Sequence, residues 1–113
     1  MNYRRFGRTG WQVSEIGYGM WGLAGWTGSD DQESLASLKR SIELGCNFFD
    51  TAWAYGDGKS EEILGKVLRE HKNDRSAGGP DKYLYVATKF HRKTGDGRAA
   101  ENLPWMNHIH RNT

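Results

Sequence analysis

The sequence feature that decides the fold is residues 47–56, which read Asn-Phe-Phe-Asp-Thr-Ala-Trp-Ala-Tyr-Gly. The stretch begins as an apolar run, stops at the carboxylate of Asp50 and continues into a loop that carries Tyr55. A second apolar run, Tyr83–Thr88, ends in the same way at Lys89. In sheets of parallel strands, functional groups gather at the carboxyl ends of the strands. We therefore predict that Asp50, Tyr55 and Lys89 belong to one site.

Short strand patterns alternate with helical patterns along the chain. Tyr3–Phe6 and Trp11–Val13 flank a glycine-containing turn and predict a hairpin. Residues 16–21 predict a further strand, whose two glycines either allow another backbone to approach closely or leave room for a ligand. The resulting order of hairpin, β, α, β, α, β predicts a parallel sheet with right-handed crossovers.

Two helices are predicted between the strands. The first begins at Ser29, whose hydroxyl caps the helix while Gln32 reaches back, and Gly45 ends it. The second begins at about Ser60, and Gly65 permits close packing of this helix against a neighbour. Each helix has one apolar face, formed by Leu35, Leu38 and Ile42 in the first and by Ile63, Leu64, Val67 and Leu68 in the second.

Composition and charge exclude several classes of protein. The chain has 113 residues, the size of one domain. Its 16 basic and 14 acidic residues are interleaved, which does not favour nucleic-acid binding, and no apolar run reaches the length of a membrane span. Cys46, the one cysteine, excludes an internal disulfide and is interpreted as a small core residue rather than a nucleophile. We predict a cytoplasmic protein without a metal site.

The predicted trio has a definite chemistry. A tyrosine hydroxyl titrates at about 10 in isolation, and a nearby ammonium lowers that pKa and makes the phenol a usable proton donor. An aspartate can hold the ammonium charged and oriented. Such a trio suits protonation of a carbonyl oxygen while a hydride reaches the carbonyl carbon. The hydride must come from a cofactor, because no side chain can donate one.

Each of the three residues also has a purely structural interpretation. Asp50 could cap a turn together with Thr51, and Tyr55 could be a loop aromatic with a wet hydroxyl. Lys89 begins a basic stretch, residues 89–93, that could simply be solvated. Taken one at a time, these interpretations are favoured, because isolated motif matches often mislead. The combination of residues is what favours a functional site.

Several segments together resemble the aldo-keto reductase family. Residues 49–66 read FDTAWAYGDGKSEEILGK and look like the first signature of that family. Residues 5–10 and 16–19 match the family's opening, and residues 86–89 match its third strand. The sequence of this first signature resembles that of the bacterial and potassium-channel β-subunit branch. The resemblance covers roughly residues 3–90, and a signature this long is far more specific than a short motif.

The resemblance implies a fold, an activity and a set of catalytic residues. The implied fold is a (β/α)8 TIM barrel whose N-terminal hairpin plugs the bottom. The implied activity is reduction of aldehydes or ketones to alcohols with a hydride from NADPH. By matching position, Asp50, Tyr55 and Lys89 are three of the family's four catalytic residues. Tyr55 would be the general acid, with Lys89 lowering its pKa and Asp50 paired to Lys89.

The resemblance also implies residues that contact the cofactor and the carbonyl substrate. Gly19, Met20 and Trp21 would line the nicotinamide side of the pocket, and Asp50 would lie close to the nicotinamide ribose. Two tryptophans, Trp26 and Trp53, are interpreted either as walls of the substrate pocket or as core residues.

The chain carries only part of the family pattern. A (β/α)8 barrel takes about 250 residues, so residues 1–113 are interpreted as a partial domain with a poorly matching tail at 91–113. The family's fourth catalytic residue, a histidine after the fourth strand, has no match, since His108 and His110 are interpreted as tail residues. We expect no reductase activity from this chain alone. The alternative is a non-catalytic fragment or binding subunit that another chain completes, with self-association through the open edge of the third strand.

Overall fold

Three parallel strands and two helices carry the predicted site. The computed structural model describes residues 1–23, 28, 30–71 and 83–90. Its elements are, in chain order, β1 (Tyr3–Arg5), β2 (Gln12–Ser14), β3 (Tyr18–Gly19), α1 (Asp31–Glu43), β4 (Phe48–Asp50), α2 (Lys59–His71) and β5 (Tyr85–Ala87), with short 3-10 helices at Gly7–Thr9 and Trp21–Leu23. The predicted order of hairpin, β, α, β, α, β is confirmed.

The three later strands form one parallel sheet in the order β3-β4-β5. Gly19 pairs with Asp50, and Asp50 pairs with Ala87, so the carboxyl ends of the strands form one row across the sheet. Because side chains alternate between the two faces of a strand, Phe49 and Asp50 point to opposite faces. The predicted parallel sheet is confirmed in the described part of the chain.

The two helices cover one face of this sheet. Phe49 of β4 is fully buried in a cluster with Leu38 of α1 and Leu64 of α2. The cluster also contains Met20, Cys46, Ile63, Val67 and Leu84. Burying a side chain of this size stabilises the fold by about 1.5–3 kcal/mol, so the helices hold β4 and the end of its strand in place. The interpretation of Cys46 as a core residue is confirmed.

The N-cap of the first helix lies one residue later than the sequence predicts. Its N-cap is Asp30, whose carboxylate accepts hydrogen bonds from the backbone N–H of Gln32 at 2.7 Å and of Glu33 at 3.2 Å. The predicted cap, Ser29, lies outside the described residues. The Asp30 carboxylate satisfies two free amide groups and faces the positive end of the helix dipole, so it stabilises the start of the helix. Gly45, with φ of 96°, lies just past the helix end, where it was predicted.

The second helix begins at Lys59, next to the predicted Ser60. The predicted apolar faces of both helices are confirmed, with Leu38, Ile63, Leu64 and Val67 buried and Leu35, Ile42 and Leu68 packed against them. Gly65 was predicted to permit close packing of the second helix against a neighbouring element, but the described residues show no such neighbour there. A Cβ placed there would meet only the Nη1 of Arg69, at 3.5 Å and in the same helix. Neither described helix has the length and apolar character that crossing a bilayer requires.

The N-terminal hairpin packs against the amino ends of the parallel strands. The buried side chain of Asn47, just before β4, accepts a hydrogen bond from the N–H of Ser14 at 2.7 Å and donates one to the carbonyl of Gln12 at 2.9 Å. Trp11 stacks on Tyr85 at the start of β5, with ring centroids 4.6 Å apart. The hairpin therefore lies at the opposite end of the sheet from the row of carboxyl ends.

Candidate active site

Backbone hydrogen bonds continue past the strand ends and bring the predicted site residues together. The N–H of Thr51 donates to the carbonyl of Ala87 at 2.8 Å, and the N–H of Trp53 donates to the carbonyl of Lys89 at 3.4 Å. These bonds continue the parallel pairing of β4 with β5. As a result, the residues that follow both strands run side by side, and Asp50 and Lys89 become neighbours.

Two oxygen atoms hold the ammonium of Lys89. Its Nζ donates to the carboxylate of Asp50 and, at 2.9 Å, to the backbone carbonyl oxygen of Thr51. The side chains of Lys89 and Asp50 remain 40% and 48% exposed. An ion pair this exposed typically contributes up to about 1 kcal/mol. The Thr51 carbonyl therefore provides a second, fixed direction for the ammonium.

The ring of Tyr55 completes the group. Lys89 Nζ lies 5.2 Å from the centroid of this ring. Burial lowers the pKa of Lys89. The hydrogen bond and charge of Asp50, together with the Tyr55 hydroxyl, raise this pKa by more than burial lowers it, so the net pKa lies above the ordinary lysine value. Lys89 is therefore a cation at neutral pH, next to a carboxylate and a phenol. All three residues predicted to share a site lie together.

A left-handed turn places Tyr55 beside the strand ends. Gly56, Asp57 and Gly58 have φ values of 70°, 52° and 95°, so three consecutive residues adopt a backbone conformation that favours glycine. The turn brings the chain back, because the N–H of Ser60 donates to the carbonyl of Tyr55 at 3.2 Å. The two glycines seen in the sequence after Tyr55 thus have a specific function in closing this loop.

The three residues predicted to line the nicotinamide side differ in what they present. Gly19 has no atom within 4 Å of where a Cβ would lie, so the face of the sheet beside Asp50 is open there. Trp21 is 57% exposed. Met20 is fully buried in the core between sheet and helices, so its side chain does not line this face. A flat cofactor ring would therefore contact Gly19 and Trp21 rather than the Met20 side chain.

The remaining candidates are less informative. Trp53 is half-buried, and its Nε1 lies 3.6 Å from where a Cβ on Gly58 would be, so the indole packs against the turn that follows Tyr55. Trp26, His108 and His110 lie outside the described residues. Within residues 1–23, 28, 30–71 and 83–90, no group of three or more His, Cys, Asp or Glu side chains could hold a metal ion.

Two buried hydroxyl groups next to the trio were not predicted as part of the site. Thr51 Oγ1 lies 2.8 Å from Ser60 Oγ, and both residues are buried. From the sequence, Thr51 was considered only as part of a turn cap and Ser60 only as a helix start. A signal was nevertheless present, because the two hydroxyl residues bracket the loop that carries Tyr55.

The fold and the site together define a class of protein: an α/β protein with a carboxylate, a lysine and a tyrosine at the carboxyl ends of parallel strands. The model of the Aldo/keto reductase family matches residues 15–113. The chain belongs to the aldo/keto reductase family, and the predicted family is confirmed.

Relatives from the predicted bacterial and potassium-channel β-subunit branch are similar to this chain. Aldo-keto reductase YhdN of Bacillus subtilis is 40% identical over 73 residues, which are 63% of this chain and 22% of the relative. A probable voltage-gated potassium channel subunit beta of Oryza sativa subsp. japonica is 40% identical over 70 residues, 62% of this chain and 21% of the relative. The chain thus spans about a fifth of the length of these curated relatives.

A solved structure supports the fold, and the protein in that structure binds NADPH. An aldo-keto reductase from Klebsiella pneumoniae, in complex with NADPH, is similar with a TM-score of 0.57 and 28% sequence identity. The similarity covers 79% of this chain and 28% of that chain. The cofactor that the resemblance implies is therefore the one bound by a structural neighbour.

Proposed function

We propose that this chain carries the proton-donating part of an NADPH-dependent reductase that converts aldehydes or ketones to alcohols. The observation that supports this most directly is the position of Lys89, whose ammonium contacts the Asp50 carboxylate and lies against the Tyr55 ring. Membership of the aldo/keto reductase family and an NADPH-bound neighbour support the cofactor. The substrate is a small carbonyl compound.

In the proposed reaction, Tyr55 gives its hydroxyl proton to the carbonyl oxygen of the substrate. Lys89 remains protonated and stabilises the phenolate that Tyr55 becomes. Asp50 holds Lys89 in its charged form and in place. NADPH, when bound, supplies the hydride that reaches the carbonyl carbon. Gly19, with its open face beside Asp50, and the exposed Trp21 would hold the nicotinamide end.

We further propose that the described sheet forms the first three strands of a (β/α)8 barrel. The parallel order β3-β4-β5 and the hairpin at the amino ends of the strands support this arrangement. The chain covers 28% of the solved neighbour, and a barrel takes about 250 residues. Turnover therefore requires the other strands, and the chain alone is inactive. We place the protein in the cytoplasm, because its cysteine is free and buried in the core.

A second candidate function is that of a non-catalytic subunit that associates through its sheet edge. In the described part of the chain, β5 pairs with β4 on one side only, and Phe90, just beyond β5, is 92% exposed. An open strand edge with apolar neighbours favours pairing with another chain. Size-exclusion chromatography with light scattering tests this function: a dimer that Val86→Lys, at the outer strand, converts to a monomer would support it.

A chimera tests the reductase proposal. Residues 3–90 of this chain replace the matching segment of the Bacillus subtilis reductase, with which the chain shares 40% identity over 73 residues. We expect the chimera to oxidise NADPH in the presence of a small aldehyde, while the isolated chain does not. A folded chimera without turnover, or turnover by the isolated chain, would overturn the proposal.

A further inference from the structure

The buried hydroxyl groups of Thr51 and Ser60 have a defined direction. Ser60 Oγ donates to the carbonyl oxygen of Met20 at 3.3 Å. A serine hydroxyl has one proton, so in the 2.8 Å contact between Thr51 Oγ1 and Ser60 Oγ the threonine must be the donor. The hydrogen bonds therefore run from Thr51 to Ser60 and from Ser60 to Met20.

These bonds close a ring that ties three elements of the structure together. The N–H of Met20, just past β3, donates to the carbonyl of Asp50 at the end of β4, at 2.9 Å. Thr51 follows Asp50 directly, and Ser60 lies in the first turn of α2. The ring thus joins β3, β4 and α2 at the end of the sheet where Lys89 lies. Because Met20, Thr51 and Ser60 are all buried, water cannot easily replace these bonds.

The same two residues also hold the catalytic candidates. The carbonyl oxygen of Thr51 accepts a hydrogen bond from Lys89 Nζ at 2.9 Å, and the N–H of Ser60 donates to the carbonyl of Tyr55 at 3.2 Å. Thr51 is thus held through its N–H by Ala87 and through its side chain by Ser60, while its carbonyl accepts from the ammonium.

We propose that Thr51 and Ser60 are positioning residues. Their hydroxyl pair fixes the Thr51 carbonyl against Lys89, and it also fixes the loop that carries Tyr55 against Thr51. The ion pair between Lys89 and Asp50 is half-exposed, and such pairs contribute up to about 1 kcal/mol. With the hydroxyl pair in place, the ammonium has a second acceptor in a fixed direction. The catalytic consequence rests on the proposed function, but the placement of Lys89 does not.

The test measures the pKa of Lys89 in the 113-residue chain by NMR titration of its ε-methylene carbon, without cofactor. Thr51→Val keeps the shape of the side chain and removes the hydroxyl, whereas Thr51→Ser keeps the hydroxyl. Ser60→Ala removes the other partner. Ser37→Ala is the control, because Ser37 Oγ lies 2.7 Å from the Tyr18 hydroxyl in a pair outside the site.

We expect the pKa of Lys89 to shift down, toward the ordinary lysine value, in Thr51→Val and Ser60→Ala, because the Thr51 carbonyl is no longer held against the ammonium, whose charged form it favours. Thr51→Ser and Ser37→Ala should match the wild type. An unchanged pKa of Lys89 in a folded Thr51→Val or Ser60→Ala chain would overturn the proposal, as would an equal shift in Thr51→Ser. If neither Thr51→Val nor Ser60→Ala folds, the pair serves stability and the proposal is also overturned.

This readout separates the inference from the proposed function. A chimera with the Bacillus subtilis reductase that is folded but inactive overturns the reductase proposal and leaves the NMR result standing. Conversely, if the chimera is active but the pKa of Lys89 is unchanged by Thr51→Val, only the positioning role is overturned.

Discussion

Lys89 Nζ lies 5.2 Å from the centre of the Tyr55 ring, and its hydrogen bond to Asp50 lies on the same end of the sheet. Tyr55 comes from the loop after β4 and Lys89 from the residues after β5. Because of this proximity, the charges of Asp50 and Lys89 and the hydroxyl of Tyr55 interact with one another. It also makes the behaviour of each residue depend on the other two.

Asp50→Asn should lower the pKa of Lys89 and reduce the free energy of unfolding at neutral pH by up to about 1 kcal/mol, the range for exposed pairs. The folded chain raises the pKa of Lys89 above its ordinary 10.5. The stabilisation is therefore fully present below the ordinary value and is lost as the pH rises through the folded pKa. Urea unfolding at neutral and at alkaline pH measures this difference between wild type and variant.

The control for this prediction is Glu43→Gln, which removes the exposed ion pair between Arg40 and Glu43, with a separation of 3.0 Å. This change should leave the pKa of Lys89 as it is. A stability difference between wild type and Asp50→Asn that grows toward alkaline pH would contradict the role given to the pair.

Asp57→Gly should be more stable than Asp57→Ala by about 1 kcal/mol, because alanine, unlike glycine, is strained at positive φ. Asp57 has a φ of 52° in the turn after Tyr55. Thermal unfolding of the two variants measures the difference. At Lys66, on the exposed side of α2, the order should reverse, with Lys66→Ala more stable than Lys66→Gly by about 1 kcal/mol. The same order at both positions would exclude a conformational cause at Asp57.

Much of the fold could be predicted because its determinants are local. The apolar run that ends at Asp50 predicts a strand, and the spacing of Leu35, Leu38 and Ile42 predicts a helix face. The exact start of α1 could not be predicted, since a serine and two aspartates in succession can all cap a helix. The buried position of Met20 also escaped prediction, because a residue at a strand end faces the core or the open face according to the sheet's register.

The hydroxyl pair of Thr51 and Ser60 could not be predicted for a different reason. The two residues meet only because the left-handed run at residues 56–58 brings the chain back to the strand end. Thr51 and Ser60 bracket the loop in the sequence, but the sequence does not specify that the loop brings their side chains into contact. Asp50, Tyr55 and Lys89 can be predicted from their chemistry, whereas the hydroxyl pair that holds them depends on the path of the loop.

Asn47→Ala should destabilise the chain by about 3 kcal/mol, because it removes the side-chain hydrogen bonds to Ser14 and Gln12 and leaves the buried N–H of Ser14 without its acceptor. Denaturant unfolding measures this loss. Asn2→Ala, at an exposed position near the N-terminus, should change stability by less than about 0.5 kcal/mol. Equal effects of the two substitutions would show that Asn47 does not join the hairpin to the sheet.

The measurement that tests the central claim most directly is the kcat for NADPH oxidation by the chimera carrying Tyr55→Phe. The substitution keeps the ring beside Lys89 and removes only the hydroxyl group, which carries the proton to be donated. General acid catalysis contributes about 10²–10⁴-fold, so kcat should fall by that factor. Tyr18→Phe, which removes a hydroxyl that contacts Ser37 at 2.7 Å, should leave kcat unchanged. An undiminished kcat in Tyr55→Phe would contradict the assignment of Tyr55 as the proton donor.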